Sequence, residues 1–152
     1  MSNELPKIYN STEYEDNIYK TWLASDFFTP EKLPGKRTKS FTISLPPPNA
    51  TGVLHTGHAA MLAIQDLVIR HQRMQGKLTL WLPGTDHAAI ATQSVVEKNL
   101  KALGKTKYDL GREKFLEEVN KYVKKSQGAI KMQMEKMGVS CDWSRERYTL
   151  DE

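Results

Sequence analysis

Apolar and polar residues alternate over Phe41–Leu45, where Phe41, Ile43 and Leu45 are separated by Thr42 and Ser44. A period of two predicts a β-strand, and Pro46-Pro47-Pro48 ends it because proline has no N–H to give to a ladder. The period then changes. From Gly57 onward Ala60, Ile64, Leu67, Val68, His71 and Met74 recur at helical spacing, predicting an amphipathic helix whose apolar stripe they form, with a stop at Gly76. Alternation returns over Lys77–Leu82, where Leu78, Leu80 and Leu82 are separated by Thr79 and Trp81. Strand, helix and strand in this order predict an α/β fold built on a parallel β-α-β unit with right-handed crossover.

Further helices flank that unit. After Gly84-Thr85-Asp86-His87, the run AAIATQSVVEKNLKAL carries Ile90, Val95, Val96, Leu100 and Leu103 and stops at Gly104. From Tyr108 a long helix presents Phe115, Val119, Tyr122, Val123, Ile130, Met134 and Met137 on one face, with an interruption expected at Gly128 that costs about 1 kcal/mol against alanine. Upstream, Tyr14, Ile18 and Trp22 stand at i, i+4 and i+8 and predict a short helix docked by its aromatic face. Residues 25–40 hold two prolines and a glycine and read as a connecting loop.

Composition narrows the class. With 39% hydrophobic and 26% charged residues in 152, the chain has the material for one ordinary domain with a core, and intrinsic disorder is excluded. No apolar run approaches the ~20 residues of a membrane span, and MSNELPKIYNSTEYEDN carries no signal-peptide segment, so a cytoplasmic protein with no membrane partner is expected. Cys141 is the single cysteine, which rules out an intrachain disulfide and a four-cysteine zinc site. The net charge of +4 suits an anionic partner without requiring one.

The candidate chemistry gathers where the two strands end. In a parallel sheet Pro46-Pro47-Pro48 and Pro83-Gly84 lie at the same edge, where open α/β sheets bind ligands. Thr51-Gly52 permits a tight turn into a helix N-terminus, whose unpartnered N–H groups and dipole favour an anion. His55 and His58, three apart in the first turn, can face the same phosphates as neutral donors or as charges. Gly57 between them leaves room for a purine to approach the backbone. Asp86 reads either as a helix cap or as a carboxylate that holds an ammonium. His55, His58, Asp86 and His87 together also offer metal ligands, and that alternative stays open. Lys121, Lys124, Lys125, Lys131 and Lys136 read as a solvated face, with RNA phosphates as the other option.

The stretch PPPNATGVLHTGH resembles the H-x-G-H signature region of class I aminoacyl-tRNA synthetases, in the form used by valyl-tRNA synthetases, with His55, Gly57 and His58 at the signature positions. GTDHAAIATQ and CDWSRERYTLDE resemble the same family, with Ala89 where the family usually has glycine. The resemblance implies the first half of a Rossmann-like nucleotide-binding fold, an ATP-dependent activation of valine to valyl-adenylate, and transfer to tRNA(Val). It implies that His55 and His58 are catalytic and contact ATP with Asn49, Thr51, Gly52 and Gly57. Pro46, Pro47 and Asn49 would wall the valine site, and Asp86 would hold its ammonium. Magnesium is implied with ATP, and no protein-bound metal. Residues 1–39 are then an N-terminal helix and linker, and 40–152 the N-terminal half of the catalytic domain, truncated before the editing insertion. A second chain or segment would supply the remainder. Lys36-Arg37-Thr38-Lys39-Ser40 superficially resembles the second signature of the family, but it precedes the first strand instead of following the last, and reads as a solvated loop. A small H-x-G-H nucleotidyltransferase and a noncatalytic nucleotide- or RNA-binding fragment are the competing readings.

Overall fold

The structure is a computed structural model that describes residues 7–152; residues 1–6, part of the 1–39 segment and of the stretch read for a signal peptide, lie outside the described residues. The elements in order are α1 (Ser11–Ala24), a 3-10 turn (Pro30–Lys32), β1 (Ser40–Ser44), α2 (Thr56–Met74), β2 (Leu78–Leu82), β3 (Gly84–Thr85), α3 (Ala89–Ala102), α4 (Lys107–Lys136), a second 3-10 turn (Trp143–Arg145) and β4 (Arg147–Tyr148).

β1 and β2 pair in parallel, Ser40 opposite Leu78 and Ser44 opposite Leu82, with α2 as the crossover. The pairing runs on past both strands. Leu45 N–H donates to the Leu82 carbonyl, Asp86 N–H to Pro48 at 2.9 Å, and Ala50 N–H to Asp86 at 2.8 Å, so the two proline turns stay side by side. The carbonyls of Trp81, Pro83 and Thr85 face the other way and accept from the N–H groups of Asp142, Arg147 and Thr149. β4 thereby pairs in parallel with β3, and β2–β3 becomes the middle of three parallel segments. Gly84 allows this approach: a Cβ there would stand 2.8 Å from the Arg147 carbonyl oxygen.

Several faces differ from those predicted. On α2 the buried positions are Leu62 and Ile69, whereas Ile64, Leu67 and Met74 are 66%, 69% and 85% exposed. Polar bonds fix this rotation. Gln65 Oε1 accepts from the buried Trp81 Nε1 at 3.1 Å, Asp66 accepts from Ser140, and the Arg73 guanidinium reaches Thr79 and Ser140. On β2 it is Thr79 and Trp81 that are fully buried, and the leucines are half-buried. Trp81 joins Leu45, Leu62, Ile69, Ile130, Met134, Val139 and Cys141 in one core cluster. Burial pushes the Cys141 thiol well above its ordinary range.

α4 buries Phe115, Val119, Val123, Ser126, Ile130 and Met134, close to the predicted face, and packs on Val96 and Leu100 of α3 in a second cluster. Its break falls at Gly111, with φ 74 and ψ 168, and Gly128 is uninterrupted helix. Only a residue without Cβ takes that conformation readily, and it lets the first turn, capped by Thr106, change direction. On α1 the docking residues are Tyr19 and Trp22, and Tyr14 and Ile18 are exposed. Tyr19 donates its hydroxyl to the Val139 carbonyl at 2.9 Å and accepts from Trp143 Nε1 at 3.0 Å, and burial pushes its pKa up to about 12. In the lysine-rich loop Arg37 donates to the carbonyls of Pro34, Arg73 and Lys77, closing the C-terminal end of α2. Among the described residues no helix is long and apolar enough to cross a membrane.

Candidate functional site at the strand ends

The first part of the site is the start of α2. His55 is the N-cap residue, in extended backbone, and its Nδ1 accepts from the Gly57 N–H at 3.1 Å. His58 Nδ1 in turn accepts from the His55 N–H at 3.3 Å. The two imidazoles thus form a reciprocal cap, with ring centroids 4.0 Å apart. The tautomer follows from this. A ring whose Nδ1 accepts carries its proton on Nε2, so within this cap Nε2 is the ring atom left to donate. The environment agrees for His58, whose pKa is lowered by burial and by the neighbouring His55. Of the two roles open in the sequence, neutral donor or charge, the cap and the lowered pKa favour the neutral donor at His58. A Cβ at position 57 would lie 2.9 Å from the His55 Cε1, so any other residue there makes that ring shift.

The loop that delivers His55 is held from beneath by α4. Tyr122 donates its hydroxyl to the Thr51 carbonyl at 2.7 Å, and the Leu54 N–H donates to Gln133 Oε1 at 2.8 Å. Pro48 and Ala50 are buried, while Pro46, Pro47 and Asn49 are exposed. Thr51 and Gly52 form the turn between them and the helix.

The second part lies beside it on the middle segment. Asn49 and Asp86 are paired in a parallel bridge, so the structure brings together these two predicted residues. Asp86 is not the cap of α3: Ala88, at φ 46, occupies that position without a side-chain bond. Asp86 Oδ1 instead accepts from the Ala88 N–H at 3.2 Å and from the Thr149 hydroxyl at 2.9 Å. Ala89 opens α3 with its side chain exposed. His87 bonds the Tyr148 hydroxyl through Nδ1, and burial with the nearby Asp86 and Asp151 raises the Tyr148 pKa. A depression of about 210 Å³ opens here, between Pro47 and Leu45 on one side and Leu82, Tyr148 and Thr149 on the other.

His55, His58, Asp86 and His87 do not gather as one metal-binding set, since among the described residues no three His, Cys, Asp or Glu side chains come together in that way. The lysines of α4 are partly engaged: Lys121 pairs with Glu118, Lys136 with Asp16, and Lys131 lies over the Trp143 ring. Sequence reasoning missed Tyr122, Gln133, Tyr148 and Thr149. Their partners are 61 to 79 residues away, beyond any local pattern.

The family model for tRNA synthetases class I (I, L, M and V) matches residues 17–152. A valine–tRNA ligase of Treponema denticola is 56% identical over 150 residues, which cover 98% of this chain and 16% of that protein. One from Streptococcus agalactiae is 52% identical over 152 residues, 100% of this chain and 17% of that protein. The chain thus spans about one sixth of the length of the curated relatives it matches. Among solved structures, the LeuRS chain of an Agrobacterium radiobacter LeuRS–tRNA–LeuAMS ternary complex superposes with a TM-score of 0.75 at 19% identity, covering 95% of this chain and 16% of that one. That likeness shows a shared fold.

Proposed function

The chain belongs to the class I tRNA synthetases (I, L, M and V), and from that premise we propose that it is the N-terminal part of the catalytic region of a valine–tRNA ligase. Its reaction is the ATP-dependent activation of valine to valyl-adenylate, followed by transfer to tRNA(Val), with full activity needing the remainder of the relatives' length. Residues 1–39 serve as a helix and linker, and 40–152 as the first half of the catalytic domain.

The observation that carries this reading is the juxtaposition at one sheet edge of two imidazoles on a helix N-terminus with a carboxylate on the neighbouring segment. Activation joins two anions, a carboxylate and a phosphate, without a covalent enzyme intermediate. A protein assists by holding both and by stabilising the charge that develops on the α-phosphoryl oxygens. The outward Nε2–H groups of His55 and His58 serve that purpose, and the helix dipole adds to it. Thr51, Gly52 and Gly57 shape the backbone that receives ATP. Asp86 holds the valine ammonium, and Pro46, Pro47 and Asn49 form the wall beside it. The 210 Å³ depression next to Pro47 is of a size for a small apolar side chain. Magnesium comes with the ATP phosphates as part of the substrate, since the imidazoles here offer no oxygen cage for it.

Valine-dependent exchange of labelled pyrophosphate into ATP tests the reading. We expect slow exchange from the wild-type chain that requires valine, discriminates against leucine and disappears in a His55→Ala, His58→Ala double variant. Exchange that persists unchanged in the double variant would remove the imidazoles from the reaction.

A further inference from the structure

We infer that Thr149 is a positioning residue for the amino-acid site: its hydroxyl fixes one oxygen of Asp86 so that the other is presented to the substrate ammonium. The inference rests on the proposed role of Asp86. It begins from the hydrogen bonds of a single side chain. Thr149 Oγ1 donates to Asp86 Oδ1 at 2.9 Å and accepts from the His87 N–H at 2.8 Å. One hydroxyl therefore uses both its donor and its acceptor on adjacent residues of the middle segment. Oδ1 receives a second donor from the Ala88 N–H at 3.2 Å. With two donors on Oδ1, the lone pairs of Oδ2 are the ones available to a cation, and the plane of the carboxylate is set before the substrate arrives.

The backbone holds Thr149 in register for this. Its own N–H donates to the Thr85 carbonyl at 3.2 Å, and Arg147 N–H donates to Pro83 at 3.1 Å. Beyond it the chain turns back: Asp151 Oδ2 accepts from the Tyr148 N–H at 2.8 Å, and Asp151 N–H donates to the Tyr148 carbonyl at 2.9 Å. The close contact of Gly84 with Arg147 brings the strap near enough for a side chain as short as threonine to reach Asp86. Tyr148 secures the adjacent His87 in the same way. A carboxylate with one rotamer loses less freedom on binding an ammonium than one that swings, so the strap acts on affinity for the amino group. Thr149 also borders the depression beside Pro47, so its action on the amino group is read as the difference between a ligand that has that group and one that lacks it.

Thr149→Val removes the hydroxyl at constant shape, and Thr149→Ser keeps it. Scalar couplings between the α and β protons of Asp86, measured by NMR on the full chain, report its χ1 rotamer without any ligand. We expect a single rotamer in the wild type and in Thr149→Ser, and averaged couplings in Thr149→Val. Titration with valine and with 3-methylbutanoate, which lacks the amino group, gives the second readout. The dissociation constant for valine relative to that for 3-methylbutanoate should rise about tenfold in Thr149→Val, the size of one hydrogen bond to a charged group, and recover in Thr149→Ser. An Asp86 side chain that keeps one rotamer in Thr149→Val, or equal weakening of both ligands, overturns the positioning role. The Asp86 reading fails separately, if the wild-type chain binds valine no better than 3-methylbutanoate or if Asp86→Asn leaves the preference intact.

Discussion

The two histidines at the start of α2 give their Nδ1 atoms to the helix they begin. Each Nδ1 accepts a backbone N–H, and a proton added there would turn the acceptor into a donor facing a donor. His58 is the one whose pKa is lowered from the ordinary 6.5, by burial first and by His55 second. Above 6.5 the folded and unfolded chains both hold it neutral. As pH falls below 6.5 the unfolded chain takes up the proton first, so stability contributed by the cap is lost between 6.5 and the lower folded value. Urea unfolding at pH 7.5 and pH 5.5 should show this loss, and His58→Gln, which keeps an acceptor but no titration, should reduce it; an identical loss in that variant would place the titration elsewhere. The site was legible in the sequence as a motif, because His55, Gly57 and His58 stand together in the chain. What each does locally was not, since a Cβ at Gly57 would crowd the His55 ring and the cap depends on backbone angles that spacing does not encode.

At the scale of elements, strand, helix and strand were readable from the change of period between two and 3.6, and their parallel pairing is as expected. The inward face of α2 was not readable. Leu62 and Ile69 are buried, not the longer apolar stripe, because Gln65, Asp66 and Arg73 on the same side find polar partners in Trp81, Ser140 and Thr79. A helix seam held by polar residues looks like a solvent face in a hydrophobicity pattern. The Gly111 break was hidden for a related reason: a glycine within a helical pattern does not announce whether it is helical, and Gly128 is. Arg37 shows an element closing another. With three carbonyls on its guanidinium it ties the loop before β1 to the end of α2. Arg37→Met should lower stability by about 1.5–3 kcal/mol, the worth of a hydrogen bond to a charged group, and leave ATP binding unchanged. A matching loss of ATP affinity, measured by calorimetry, would mean that this loop reaches the nucleotide after all.

Taken whole, the molecule leaves apolar surface uncovered. Ile64, Leu67 and Met74 stand exposed along α2, and among the described residues β1 has β2 as its sole strand partner. An open parallel edge beside an apolar helix face favours association. Sedimentation velocity should show species larger than a monomer that grow with concentration, and Ile64→Lys with Leu67→Lys should shift them toward monomer; a monodisperse wild type at all concentrations contradicts this. The single thiol gives the same molecule a built-in clock. Cys141 lies inside the cluster where the returning C-terminal segment meets β2, with no accessible surface and a thiol that resists ionisation. A disulfide reagent reaches it only in molecules that have momentarily opened, so the labelling rate, divided by that of an unstructured cysteine peptide, measures the opening equilibrium at this one position without an added probe. Ligands that bind only the closed form slow that clock in proportion to their saturation, so ATP and valine can be ranked by the delay each imposes on one sulfur atom.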